Sequence, residues 1–216
     1  MKGFFARACD PVSCQTHTLG ALLAAVGTIF IVLKGLSPET ADLALLSGVI
    51  FGLSMVALYS ASSVYHYFSG SVSLKEYLRK WDHAMIYVLI AGSYTPVCLN
   101  YMEPSVGIPF IRLLWVVAAG GILVKLLWIN APRTLSTLFY LGMGWSILLV
   151  GYTLKSIPPG CLFLIAAGGA AYSAGAVIYI LKKPNLSQAF GFHEIFHVFI
   201  LLGSAFHFAA VYCYIL

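Results

Sequence analysis

Seven long apolar stretches occupy almost all of this 216-residue chain, and they limit what it can fold into. About 20 mostly apolar residues are enough for a helix to span the hydrocarbon core of a bilayer. The stretches that meet this rule are residues 17–35, 42–66, 82–101, 108–129, 134–154, 160–181 and 190–214. The sequence therefore predicts an all-α fold, a seven-transmembrane helix bundle that forms one domain over residues 1–216.

The composition excludes a water-soluble globule. The chain is 61% apolar and 9% charged, whereas soluble domains carry about 25% charged residues. Its basic residues stand at helix ends rather than in a patch, which argues against nucleic acid as a partner. The five cysteines contain no CxxC pair, and the N-terminus has no features of a removable signal peptide.

The basic residues also predict an orientation. On one side of the predicted bundle lie Lys2, Arg7, Lys75, Arg79, Lys80, Lys125, Arg133, Lys182 and Lys183. On the other side lie only Lys34, Arg112 and Lys155. Because positive charge is retained in the cytoplasm, we expect a cytoplasmic N-terminus and an outside C-terminus. The short tail suits a bacterial inner (plasma) membrane.

Two histidines in the last apolar stretch point to a metal. His193 and His197 are four residues apart, so on a helix they project from one face about 6 Å apart along the axis. An imidazole in an apolar segment costs free energy unless it is paired, ligating a metal or facing water. Zinc is the simplest explanation for two imidazoles in register.

Other polar groups are expected at the same membrane level. His66 ends the second stretch, Asp82 begins the third, and His17 opens the first, all on the predicted cytoplasmic side. Three histidines with a water molecule are the ligands of a catalytic zinc site. We therefore predict that His66, His193 and His197 bind Zn²⁺.

Two further residues are candidates for catalysis. Asp82 is placed to accept a proton from zinc-bound water, which attacks amides and esters; the alternative is a helix N-cap. Ser62 lies four residues before His66, on the same face. Its hydroxyl can hold a substrate or water, or bond its own backbone at i−4. A membrane lipid is the expected substrate or ligand.

The remaining histidines have simpler interpretations. His207 is expected to be a hydrogen-bonded packing residue far along the last span. His83 is expected at the interface, because adjacent helical residues point about 100° apart. His17 lines the mouth of the bundle or lies among the lipid headgroups, and it is not counted as a ligand.

Several motifs together resemble the hemolysin III family, the bacterial branch of the progestin and adipoQ receptor superfamily. The resemblance covers nearly the whole chain. Its markers are Ser62-x-x-x-His66, Trp81-Asp82-His83-Ala84, Gly92-Ser93-Tyr94-Thr95-Pro96, Gly142-Met143-Gly144-Trp145 and His193-x-x-x-His197.

The resemblance implies a seven-helix fold whose orientation is opposite to that of G-protein-coupled receptors. It implies zinc in the cytoplasmic leaflet, held by His66, His193 and His197, with Asp82 reaching the metal through water. Because related adiponectin receptors and alkaline ceramidases look like ceramide amide hydrolases, it also suggests lipid amide hydrolysis.

The chain departs from the family at its start. The family opens with an acidic residue followed by Asn-x-x-x-His, and the corresponding residues here are Asp10, Ser13 and His17. A serine therefore replaces the asparagine.

Two other functions compete with a lipid hydrolase. His193-Glu194-x-x-His197 also spells the HExxH signature of zinc proteases, in which Glu194 would be the general base. No later helix supplies the further acidic ligand of such proteases, so we expect Glu194 to face a polar cavity or to pair with Lys182 or Lys183. The other competitor is a membrane sensor or regulator with structural zinc. A transporter is not favoured, because no inverted repeat is evident.

Overall fold

Seven helices long and apolar enough to span a membrane run through the described residues of the structure, a computed structural model. Those residues are 2–5, 7–128 and 130–216, and they contain no strand. The predicted all-α, seven-span fold is confirmed. The helices are α1 (Lys2–Phe5), α2 (Pro11–Gly35), α3 (Asp42–Tyr67), α4 (Val72–Tyr101), α5 (Pro104–Leu127), α6 (Arg133–Gly144), a 3₁₀ helix (Ser146–Ser156), α7 (Pro159–Leu181) and α8 (Phe192–Tyr214). The helix α6 and the 3₁₀ helix together form the fifth span.

Some helices extend beyond the apolar stretches that predicted them. The helix α4 begins at Val72, ten residues before the expected start at 82. Its first turns carry charged residues, which an apolar window leaves out although they are helical. Asp82 therefore lies well inside α4, and its interpretation as an N-cap is wrong. The predicted end of the fourth span, residue 129, lies outside the described residues.

The fifth span is broken near its middle. The α-helix ends at Gly144 and a 3₁₀ helix follows, in which Val150 has φ −115° and ψ 28°. A break leaves backbone groups unpaired, which is costly in an apolar surrounding. Tyr94 of α4 satisfies them, because its hydroxyl donates to the Gly144 carbonyl at 2.6 Å and accepts from the Ile147 amide at 3.1 Å.

The two ends of the bundle are joined by different contacts. At one end the Asp10 amide donates to the His66 carbonyl at 3.0 Å, which ties the start of α2 to the end of α3. We call this end the histidine side. At the opposite end Lys34 Nζ donates to the Tyr212 carbonyl at 2.5 Å, which ties α2 to α8. The location of the histidine side in the cytoplasm stays a prediction from charge.

The helices α7 and α8 approach closely through glycines. A Cβ atom at Gly203 would lie 2.5 Å from the Tyr172 ring, and one at Gly168 would lie 2.2 Å from His207 Cδ2. Tyr172 cannot move away freely, because its hydroxyl bonds Ser204 at 2.9 Å. Small residues at these positions therefore determine how near the two helices can lie.

We expect Gly203→Ala to destabilise the protein by about 1–3 kcal/mol, because the added methyl group overpacks the contact with Tyr172. Thermal unfolding in a mild detergent measures the effect. Gly120→Ala is the matched control, since no atom of the described residues other than the adjacent backbone of its own helix and its two chain neighbours lies within 4 Å of its Cβ position. Equal unfolding temperatures for the two variants would show that the helix contact tolerates a methyl group.

Candidate metal centre

Three histidines from two helices meet at the histidine side. His66 comes from the end of α3, and His193 and His197 come from the first turns of α8. One ring nitrogen from each lies within 4.8 Å of those of the other two. His66 and His197 are buried and His193 is partly buried. The structure thus brings together the three residues that the sequence singled out as ligands.

One distance in the cluster matches the separation of two ligands on a small tetrahedral cation, and all three nitrogens lie within 4.8 Å of one another. Ligand nitrogens at 2.0–2.1 Å from a tetrahedral zinc ion lie about 3.3–3.4 Å from each other. The Nε2 atoms of His66 and His193 are 3.3 Å apart. Two imidazole nitrogens at this separation repel each other through their lone pairs unless a proton or a cation lies between them. The cluster can therefore hold a metal ion.

A carboxylate orients the first of these histidines. Asp10 Oδ2 lies 3.0 Å from His66 Nδ1 and 3.8 Å from Lys75 Nζ. The hydrogen bond from His66, helped by the charge of Lys75, lowers the pKa of the Asp10 carboxyl group despite its partial burial. An ionised Asp10 accepts the Nδ1 proton, which leaves the Nε2 lone pair directed at the cluster.

A hydroxyl group orients His197 in the same way. Thr16 Oγ1 donates its single proton to the Ser13 carbonyl at 3.0 Å. Its contact of 3.3 Å with His197 Nδ1 must then be one in which the threonine oxygen accepts. His197 therefore carries its proton on Nδ1, and its Nε2 is free to bind a cation.

A fourth histidine lies against the cluster. The His17 ring stacks on His197 with centroids 3.6 Å apart and planes within 8° of parallel. His17 is buried, and in the described part of the chain neither of its ring nitrogens has a hydrogen-bond partner. It lines an internal cavity, so the alternative position among the headgroups is wrong.

Glu194 has a structural role. Its Oε1 accepts from the Ser13 hydroxyl at 2.7 Å and its Oε2 accepts from the Gly191 amide at 2.9 Å. The carboxylate thus caps α8 and ties it to α2. The expected polar cavity or pairing with Lys182 or Lys183 is wrong, because Glu194 does not line the cavity and forms no ion pair among the described residues. The serine that replaces the family's asparagine is the residue that binds Glu194.

The cavity beside the histidines has a volume of about 680 Å³. At the histidine side it is lined by His17, Ser62, Asp82, His193 and His197. Toward the opposite end its walls are mostly aliphatic. The two catalytic candidates therefore share one chamber with two of the three candidate ligands.

Ser62 is buried on α3, one turn before His66. Among the described residues its hydroxyl makes no hydrogen bond, so the alternative bond to the Leu58 carbonyl is not formed. The hydroxyl is therefore available to a molecule in the cavity.

Asp82 and His83 both line the cavity. Asp82 Oδ2 lies 3.7 Å from His83 Nδ1, beyond hydrogen-bond distance, and that nitrogen bonds the Arg79 carbonyl at 2.8 Å. The expected place of His83 at the membrane interface stays a prediction. At the far end, His207 Nε2 lies 3.3 Å from the Ile165 carbonyl, which confirms the expected packing role of His207.

The orienting roles of Asp10 and Thr16 were not predicted from the sequence. The only available signal is spacing: Asp10, Ser13 and His17 recur at intervals of three and four residues, which places them on one side of a helix. Their partners on α3 and α8 are far away in the chain.

Comparison with known proteins supports the sequence resemblance. A family model described as Haemolysin-III related matches residues 5–208. The Hemolysin-3 homolog of Bacillus subtilis (strain 168) is 36% identical over 201 residues, which cover 92% of this chain and 91% of that protein. Hemolysin-3 of Bacillus cereus is 33% identical over 202 residues, covering 93% and 89%. The human Monocyte to macrophage differentiation factor is 30% identical over 211 residues, covering 94% and 83%.

We expect Asp10→Ala to weaken the binding of a divalent metal about 10–100-fold, because His66 loses the group that orients it. Competition with a chromogenic chelator measures the affinity. Glu39→Ala removes an exposed carboxylate at the opposite end of the bundle and serves as the control. An unchanged affinity in Asp10→Ala would contradict the orienting role.

Proposed function

Because the chain belongs to the hemolysin III family of multi-pass membrane proteins, we propose that it is a zinc-dependent hydrolase of a lipid amide or ester. One observation carries the proposal: three histidine nitrogens meet within 4.8 Å beside a largely apolar cavity. A metal-binding cluster alone is compatible with many roles. A cluster beside a largely apolar cavity, which can hold an acyl chain, favours chemistry on a lipid.

The donor set fits zinc. Three neutral imidazoles are a common ligand set for catalytic zinc, with a fourth position left for water. Zinc in such a site lowers the pKa of bound water to about 7 and polarises a carbonyl group. Asp10 and Thr16 hold His66 and His197 in the tautomer that directs Nε2 inward.

Asp82 is proposed to accept the proton from the attacking water. His83 Nδ1 lies 3.7 Å from its Oδ2, beyond hydrogen-bond distance, so a free carboxylate oxygen is available for this transfer. After bond cleavage the same oxygen can return the proton to the leaving amine or alkoxide, as general acid–base catalysis requires.

Ser62 is proposed to hold the reacting carbonyl group or the attacking water. Its hydroxyl is buried, lines the cavity and is not used by the backbone. A donor fixed beside the place where negative charge develops stabilises the transition state. The surrounding aliphatic walls exclude bulk water and accommodate an acyl chain.

A structural zinc site in a sensor or regulator is the second candidate. It is favoured by the contacts that join α2, α3 and α8 around the histidines, notably Ser13 with Glu194 and Asp10 with His66. A zinc ion held there would lock the three helices together. The protease alternative is disfavoured, because Glu194 is held by Ser13 and the Gly191 amide at the start of α8 and does not line the cavity.

Replacement of Asp82 distinguishes these functions. We expect Asp82→Asn to keep one zinc per chain and to lower kcat for a ceramide or another acyl-amide substrate by at least about 100-fold. Zinc content is measured by elemental analysis and turnover by release of fatty acid from reconstituted protein. Asp42→Asn, an exposed carboxylate at the opposite end, is the matched control.

Loss of both zinc and folding in Asp82→Asn would favour the structural site. Wild-type protein that carries stoichiometric zinc but hydrolyses no ceramide, acylated amine or phospholipid would count against an enzyme.

A further inference from the structure

Three basic side chains line the same cavity on the histidine side. Arg79 comes from α4, Lys125 from the end of α5 and Arg133 from the start of α6. The ion pairs found among the described residues involve Asp10 and Asp82 with other partners, and none includes these three cations. Asp82 is the one carboxylate among the described lining residues. The cavity therefore has more cations than anions at this end.

Burial of these side chains raises the free-energy cost of the excess positive charge. Lys125 is 3% exposed, and its Nζ is held by the Ser136 hydroxyl rather than by a carboxylate. The Nε atom of Arg79 is buried and has no hydrogen-bond partner within the described residues. A buried cation without a counter-ion is costly, and the cost falls when an anion binds.

The remaining contacts hold the cations in place without neutralising them. Arg79 Nη2 donates to Asn130 Oδ1 at 3.1 Å. The Arg133 guanidinium lies 4.6 Å from the centre of the Tyr179 ring and donates to the Tyr179 carbonyl at 3.4 Å. Each contact is made with a neutral group, so the charge of both guanidinium groups remains available to a ligand.

We propose that Arg79, Lys125 and Arg133 form a binding site for the phosphate headgroup of an anionic lipid. A phosphate group offers several acceptor oxygens to donors from different directions, and guanidinium groups bind it through paired hydrogen bonds. The aliphatic part of the cavity, beyond Ile90 and Val97, holds the acyl chains. A lipid satisfies both parts of the chamber, whereas free phosphate satisfies only the cations.

The site lies next to the histidine cluster. Tyr179 contacts Arg133 on one side, and its ring centroid is 5.9 Å from that of His193 on the other. A lipid whose phosphate is held by the cations thus has its linkage region near the histidines. The proposed phosphate site is supported by the contacts of the three cations, independently of any chemistry at the histidines. Hydrolysis of the bound lipid rests on the proposed function.

The positive-inside tendency explains basic residues at this membrane end, but it does not explain where these side chains point. Lys80, next to Arg79 in the sequence, does not line the cavity, and neither do Lys182 and Lys183. A basic side chain whose only role is to set the orientation of the protein in the membrane extends toward the lipid headgroups and water. Lys80 is therefore a matched control for Arg79.

The test measures binding of three probes to full-length protein purified in a neutral maltoside detergent. The probes are dihexanoyl phosphatidic acid, dihexanoylglycerol and inorganic phosphate, and thermophoresis gives each Kd. We expect phosphatidic acid to bind at least about tenfold more tightly than either of the others. Arg79→Gln and Arg133→Gln should each weaken its binding about tenfold, and Lys80→Gln less than about twofold.

Two results would overturn the proposal. Equal binding of dihexanoylglycerol and phosphatidic acid would show that the cations recognise no anion. Equal binding of inorganic phosphate would show that the acyl chains do not contribute and that the ligand is not a lipid. If a glutamine variant does not fold, Arg79→Lys and Arg133→Lys replace it, since lysine keeps the charge but loses the paired hydrogen bonds.

A metal-site variant separates this proposal from the proposed function. His193→Ala should lose hydrolysis but bind phosphatidic acid with an affinity within about twofold of wild type, because the cations are untouched. Wild-type protein that binds phosphatidic acid but hydrolyses no lipid would refute the enzyme and leave the phosphate site standing. Loss of lipid binding in folded His193→Ala protein would overturn the separate phosphate site.

Discussion

The cost of leaving a polar group unpaired in an apolar surrounding governs this structure. Within the bundle, most polar side chains are tied to a neighbour: Tyr94 to the broken fifth span, and Glu194 to Ser13. Against that background, the polar atoms without partners stand out. Among the described residues they include the ring nitrogens of His17, the Nε of Arg79 and the Ser62 hydroxyl. All three residues line the same cavity, which is where a ligand would relieve the cost.

The start of α2 connects the parts of the candidate metal centre. Asp10 orients His66 of α3, Thr16 orients His197 of α8, and Ser13 binds Glu194. The acidic residue and the polar residue at the opening of the family motif thus have physical roles in this chain. In this chain the serine at the asparagine position of the motif donates to a carboxylate oxygen of Glu194. None of these α2 residues belongs to the predicted ligand set, yet together they decide how the ligands point.

Much of the site could be predicted because membrane helices alternate in direction. His66 and His193 lie at helix ends, and Asp82 lies at the start of the apolar part of α4, all on the side to which alternation brings them, so sequence position alone predicts that they share one side. The wrong predictions concern the local surroundings of the side chains, not the end of the bundle at which they lie. The N-cap alternative for Asp82 fails because an apolar window leaves out the charged first turns of α4. The bond of His83 Nδ1 to the Arg79 carbonyl was not predicted, because it depends on the side-chain rotamer.

The sequence by itself determined the number of spans, the all-helical class and the histidines that meet, because these follow from apolar length and from the helical repeat. The family membership also follows from motifs within single helices. The tertiary structure alone decided which nitrogen each histidine presents, which oxygen atoms of Glu194 are already bonded and which cations turn inward. Those properties depend on groups from different helices within about 3–4 Å of each other, a distance scale that spacing along one helix does not determine.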